Sequence, residues 1–281
     1  MINSSNPLEA KTLLDHSDCF ADKPKFSVSG TLKKNFDSLI LSDFWPEEVP
    51  ASMVVNTDKQ AILRARSIVN SLVIPHIKSG RFLDYGCGKG HCVVEASRLG
   101  LEAFGYDVER TWETDPEDCV LTTDKAVITA KSPYAAVSVY DILDHIVDHE
   151  KAVEAMKFVR SVSNEDTLIK VRCHPWTSRH GGHLYNSINK AFAHILLSDE
   201  EYEKHSTEPV RKIKRPLAEY SEIFEAAGLT IVQMDMTTTK LEELFTTKEL
   251  QDAFEDRLQA AGEWQQHVLP MSFIDYILAV K

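Results

Sequence analysis

Cysteine is scarce in this chain: five residues in 281 (Cys19, Cys87, Cys92, Cys119 and Cys173), odd in number and without paired spacing. That excludes a disulfide framework and fits reduced thiols in a cytoplasm-like compartment. Long apolar runs are missing too, none approaching the roughly 20 residues that a membrane span needs. The first residues, Met1-Ile2-Asn3-Ser4-Ser5-Asn6-Pro7, do not pair a basic region with an apolar stretch, so no secretory signal is read there. Positive charge is in deficit: 31 Lys and Arg against 43 Asp and Glu leave a net charge of −12. This disfavours a protein that coats nucleic acid through its phosphates, although a local basic patch would still hold one. The expectation is a soluble, cytoplasmic protein without a membrane partner. At 43% hydrophobic, 281 residues suffice for one large domain, or one domain plus an appendage.

Residues 1–56 carry Pro7, Pro24, Pro46 and Pro50 and no sustained periodicity. They read as an N-terminal extension with one short helix near 31–41, which either packs against the rest or closes as a lid over a ligand. Regularity begins at Thr57, so 57–281 is the expected main domain. Thr57 and Gln60 have capping-box spacing. Ile62, Ala65, Val69, Leu72 and His76 then recur at helical steps as one buried stripe through residue 77. Strand-like segments follow at 81–85, 101–106, 119–123, 135–140, 166–172, 229–236 and 273–280. Helix-like segments lie at 90–99, 148–161 and 217–227. Such alternation predicts an α/β fold with a mostly parallel sheet covered on both faces. Two connections exceed ordinary lengths, at about 173–216 and 237–272. The first is expected to carry a helix with Ile188, Ala191, Phe192 and Ile195, and the second a helix capped by Thr246 and Glu249.

The stretch Phe82-Leu83-Asp84-Tyr85 runs into Gly86-x-Gly88-x-Gly90, three alternate glycines between a strand and a helix. Glycine is needed where the backbone turns sharply and a ligand approaches closely. In an open α/β sheet that turn lies at the carboxyl end of the first strand, where ligands bind. The dinucleotide fingerprint G-x-G-x-x-G would place the third glycine one residue later. Asp84, two residues before the first glycine, would repel a pyrophosphate but suits an ammonium group. Asp107 ends the second strand, 17 residues beyond Gly90, where a carboxylate accepts ribose hydroxyls.

This constellation resembles the cofactor motif of class I S-adenosylmethionine-dependent methyltransferases. The resemblance covers roughly residues 57–172 and, more loosely, the last two strands. It implies a Rossmann-like, doubly wound, seven-stranded sheet with helices on both faces and S-adenosyl-L-methionine as cofactor. By position it implies Asp84 at the methionine end and Asp107 at the ribose, with Tyr85 and the three glycines in the same site. Asp124, ten residues before Tyr134, falls where the family places an acid near the adenine. Leu143-Asp144-His145-Ile146 is similar to the run that follows the fourth strand in small-molecule methyltransferases. One departure stands out: the usual helix after the second strand is replaced by the acidic, aperiodic stretch 108–118. Its Trp112 either stacks on the adenine or packs inside.

Methyl transfer needs a nucleophile held in line, and positioning supplies roughly 7–11 kcal/mol of the barrier. His145, His174 and His180 are the candidate bases. Tyr140 and Asp141, ending the fourth strand, line the expected pocket, Tyr140 toward the cofactor and Asp141 toward the substrate. The segment 172–185 holds three histidines, two arginines, a tryptophan and a tyrosine. It reads as the substrate loop, with Arg179 as a clamp for a carboxylate or phosphate and Trp176 and His183 as further contacts. Cys173, His174, His180 and His183 match no standard zinc spacing, so no metal is expected. The expected activity is methyl transfer to an oxygen or nitrogen of a polar, anionic small molecule. A nucleotide or RNA acceptor, suggested by Arg211 to Arg215, is the alternative. A cofactor-binding protein without transferase activity is the rival.

Overall fold

The computed structural model describes residues 36–50, 57–113, 115–206, 214–238, 240–260 and 271–281. The chain divides into two compact units. One takes 55–173, 219–235 and 275–281; the other takes described residues before 55, within 174–218 and within 236–274.

In the first unit, the Thr57 side chain accepts from Gln60 N at 3.3 Å and starts the helix Asp58–Ile68. A π-helical turn, Val69–Val73, continues it. That turn shifts the buried stripe. Ala65, Val69 and Val73 are buried, whereas His76 is exposed, because an i→i+5 turn moves each later side chain round the axis. Ile62, expected inside, is 42% exposed.

Seven strands follow: β1 (Arg81–Tyr85), β2 (Glu102–Tyr106), β3 (Val120–Thr122), β4 (Ala136–Tyr140), β5 (Leu168–Cys173), β6 (Leu229–Thr238) and β7 (Met271–Val280). They form one sheet in the order β3-β2-β1-β4-β5-β7-β6. β1 to β5 pair in parallel, and the sheet is mostly parallel with an antiparallel end. The fold is the expected Rossmann-like α/β arrangement. Strand order reverses between β1 and β4, so the crevice beyond their carboxyl ends is the ligand position that this topology creates. Successive β1 residues face opposite layers. Phe82 joins Val69, Val93 and Ala96 beneath the helices on one face. Tyr85, on the other face, packs against Tyr106 and against Phe158 of the helix His149–Ser161.

No helix is described between β2 and β3, as the acidic stretch predicted. Trp112 packs there in the apolar cluster with Phe82 and Val93, 6% exposed, and its Nε1 donates to Asp115 at 2.9 Å. Packing is therefore its role.

The second unit has its own core, with Phe36, Trp45, Trp176, Phe192, Phe245 and Phe254 at its centre. Trp45 Nε1 donates to the Ala191 carbonyl at 3.0 Å. Here the expectations need correction. The helix expected across 188–195 is a single turn, Ala193–Leu196, because this stretch satisfies its backbone through distant partners such as Ala191 N on the Pro46 carbonyl. The helix Lys248–Ala260 is capped by Thr247, whose hydroxyl accepts from Leu250 N, one residue later than expected. The expected helix near 31–41 is Phe36–Ile40 within the described residues, and 31–35 lie outside them. No described helix is long and apolar enough to cross a membrane.

Candidate active site

The turn after β1 is tied to β2: Gly86 N and Cys87 N both donate to the Tyr106 carbonyl, at 2.7 and 3.0 Å. Gly86 and Gly88 have φ of +83° and +50°, left-handed values that other residues adopt only under strain. A Cβ on Gly86 would run into the Ile142 side chain, whereas one on Gly88 would meet nothing within 4 Å. The loop is thus packed from behind by Ile142, two residues after β4, and open at its tip. Gly90 then caps the helix His91–Arg98 with no side chain of its own. Asp107 holds the tip in place, accepting from Gly88 N at 2.8 Å and Val108 N at 2.7 Å.

Asp84 is 4% exposed and faces Ser138, its register partner on β4, which donates a hydrogen bond to it. Burial pushes its carboxyl from 3.8 up to about 7; the Ser138 bond opposes that rise and Asp107 adds to it. Among the described residues no cation contributes to that balance.

Register carries the same face outward. Ser138 and Tyr140 share it, and Tyr140 pairs across with Arg172 of β5. Arg172 donates Nε and one terminal nitrogen to both carboxylate oxygens of Asp275 on β7, at 2.7 and 2.6 Å. Its remaining terminal nitrogen donates to the Tyr140 hydroxyl, and its guanidinium lies 4.5 Å from the centre of that ring. Arg64 lies 5.7 Å from the ring centre and donates to Asp141 at 2.6 Å. Asp141 itself has φ +57°. Sequence reasoning gave Arg64, Asp275 and Ser138 no role and placed Arg172 only at the start of the expected substrate loop. The available signal was an acidic residue, Asp275, in a mostly apolar strand and two basic residues, Lys170 and Arg172, in β5.

The other candidates divide. Tyr85 is on the opposite face from Asp84, inside the aromatic cluster, so only its backbone borders the glycine turn. Asp124 caps the short helix Lys125–Thr129 by accepting from Ala126 N at 2.8 Å. His145 is exposed on the 3₁₀ turn Leu143–His145 that follows β4.

In the second unit, His174, His180 and His183 are gathered, with ring centres 5.7 and 5.4 Å from His174. His174 Nδ1 contacts the Ser272 carbonyl at 2.8 Å; a carbonyl only accepts, so Nδ1 carries a hydrogen. Burial pushes His180 down to about 3, with His174 and Arg179 adding to the effect. An imidazole so poor at holding a proton does not suit general-base work near neutrality. Arg179 directs two nitrogens to the Glu47 carbonyl, and Trp176 is 2% exposed in the core. Both were expected to meet substrate; instead a distant backbone oxygen and the core occupy them.

The first unit's residues fit S-adenosyl-L-methionine: a backbone cradle open at Gly88, a buried carboxyl suited to an ammonium, and Asp107 ending β2. A family described as "Methyltransferase domain" matches residues 58–234. The chain belongs to that family and is a class I S-adenosylmethionine-dependent methyltransferase. No curated protein sequence matches it. Solved structures similar to it include a SAM-dependent methyltransferase from Archaeoglobus fulgidus, 16% identical, covering 79% of this chain and 94% of that one with a TM-score of 0.47. Magnesium protoporphyrin IX methyltransferase from Synechocystis PCC 6803 with bound SAH is 14% identical over 81% and 89%, TM-score 0.47. The PH0226 protein from Pyrococcus horikoshii OT3 is 11% identical over 83% and 96%, TM-score 0.48.

Proposed function

We propose that this methyltransferase acts on an oxygen or nitrogen of a polar, anionic small molecule. One observation supports the anionic character. Arg64, 52% exposed, stands beside Tyr140 at the carboxyl end of β4 and, among the described residues, forms one ion pair, to Asp141. A planar guanidinium with that much exposure can turn its other donors to a carboxylate or phosphate. The cofactor supplies a methyl group already activated on a sulfonium, so the chain's work is to bind, orient and exclude water. Asp84 answers the ammonium, the Gly86–Gly90 turn lets the ligand approach the backbone closely at Gly88, and Asp107 meets the ribose. Asp141 orients the accepting group. Where that group starts protonated, His145 takes the proton.

We assign residues 57–281 to the methyltransferase domain, with insertions at about 173–216 and 237–272, and residues 1–56 to an extension. A nucleotide or RNA acceptor has less support. Of the basic run, Arg211, Lys212 and Ile213 lie outside the described residues, Arg215 is 2% exposed, and Lys214 lies 5.9 Å from the centre of the Trp176 ring.

The test is transfer of label from methyl-labelled cofactor to fractionated acidic and neutral metabolites. Acidic acceptors should take the label, and Arg64→Ala should raise their KM about tenfold or more while leaving S-adenosylhomocysteine affinity unchanged. Label only in neutral compounds, or in RNA with a steep loss of activity on adding salt, overturns the proposal.

A further inference from the structure

Tyr140, Arg172 and Asp275 stand side by side on β4, β5 and β7, three adjacent strands, and their hydrogen bonds run in one direction. Asp275 only accepts. Arg172, fixed by both Asp275 oxygens, only donates, and one of its N–H groups ends on the Tyr140 oxygen. The phenol therefore accepts on that side and must send its own hydrogen elsewhere. Arg172 is the sole hydrogen-bond partner of that oxygen among the described residues. Burial pushes the phenol well above the usual tyrosine range, so the hydroxyl keeps its hydrogen at any working pH.

The strand register gives the sheet face on which that hydroxyl stands. Tyr140 shares a sheet face with Ser138 and Asp84, one step nearer the carboxyl end. Two residues later, Ile142 backs the glycine turn at Gly86. We infer that Asp275 and Arg172 are positioning residues that fix the Tyr140 hydroxyl as a hydrogen-bond donor to the amino-acid end of the S-adenosyl ligand. That end carries an ammonium, which suits Asp84, and a carboxylate, which a fixed donor on the same face suits. The inference concerns the cofactor and stands apart from the identity of the acceptor.

A double-mutant cycle read by calorimetry with S-adenosylhomocysteine tests it. Tyr140→Phe keeps the ring and should weaken binding about tenfold or more. Asp275→Asn should weaken it about threefold or more in the native background and add nothing in the Tyr140→Phe background. Arg172→Lys, which replaces a planar fork by a point charge, should reproduce Asp275→Asn and serves if that variant does not fold. Adenosine, which lacks the amino-acid end, should bind all four proteins equally. Unchanged S-adenosylhomocysteine affinity in Tyr140→Phe, losses that multiply in full in the double variant, or an equal loss of adenosine binding would overturn the inference.

Discussion

Lowering the pH from 8 to 6 should weaken S-adenosylhomocysteine binding, because Asp84 must give up a proton before it can face an ammonium. Burial lifts this carboxyl from 3.8 to about 7. Such a rise opposes ionisation by about 4 kcal/mol at most. In the free protein Asp84 is then about 90% ionised at pH 8 and about 10% at pH 6, which lowers the apparent affinity about tenfold across the interval. Binding should release about 0.9 proton at pH 6 and about 0.1 at pH 8. Titrations in buffers of differing ionisation enthalpy measure that number directly. Asp84→Asn should bind about 10- to 100-fold more weakly at pH 8, with no pH dependence and no proton release. Folding stability of the unliganded protein carries the opposite signature. The folded-state value lies above the ordinary 3.8, so Asp84's contribution is complete below about pH 4 and is lost as pH rises through about 7. Flat affinity between pH 6 and 8 with no proton exchanged would refute the assignment of Asp84 to the ammonium.

Two further substitutions check the frame around that carboxyl. Asp107→Ala removes the acceptor for Gly88 N and Val108 N as well as the proposed ribose partner. Calorimetry should show S-adenosylhomocysteine binding about tenfold weaker or worse, and unchanged binding would remove the ribose assignment. Trp112→Ala should cost about 3–5 kcal/mol in denaturant unfolding, as expected for a buried tryptophan. Intact stability with lost cofactor affinity would restore its adenine role.

The glycine turn was legible because its signal is local. A strand, three alternate glycines and two carboxylates fall within one continuous strand–turn–helix–strand segment. The row beside it was not legible. Arg172 and Asp275 are 103 residues apart, and only pairing on adjacent strands makes them partners. Likewise Arg179 reads as a clamp until Glu47, 132 residues away, occupies it. Trp176 reads as a contact until the second unit's core encloses it.

Residue type and spacing alone set the alternation of strands and helices, the glycine turn and the position of the two acids beside it. All of these depend on residue type and spacing within one βαβ segment, where backbone geometry permits few alternatives. Tertiary structure decided which charged groups are satisfied by distant partners, which aromatics are interior, and that Tyr140 is flanked by two arginines. Burial and hydrogen-bond direction arise only once strands far apart in sequence lie side by side.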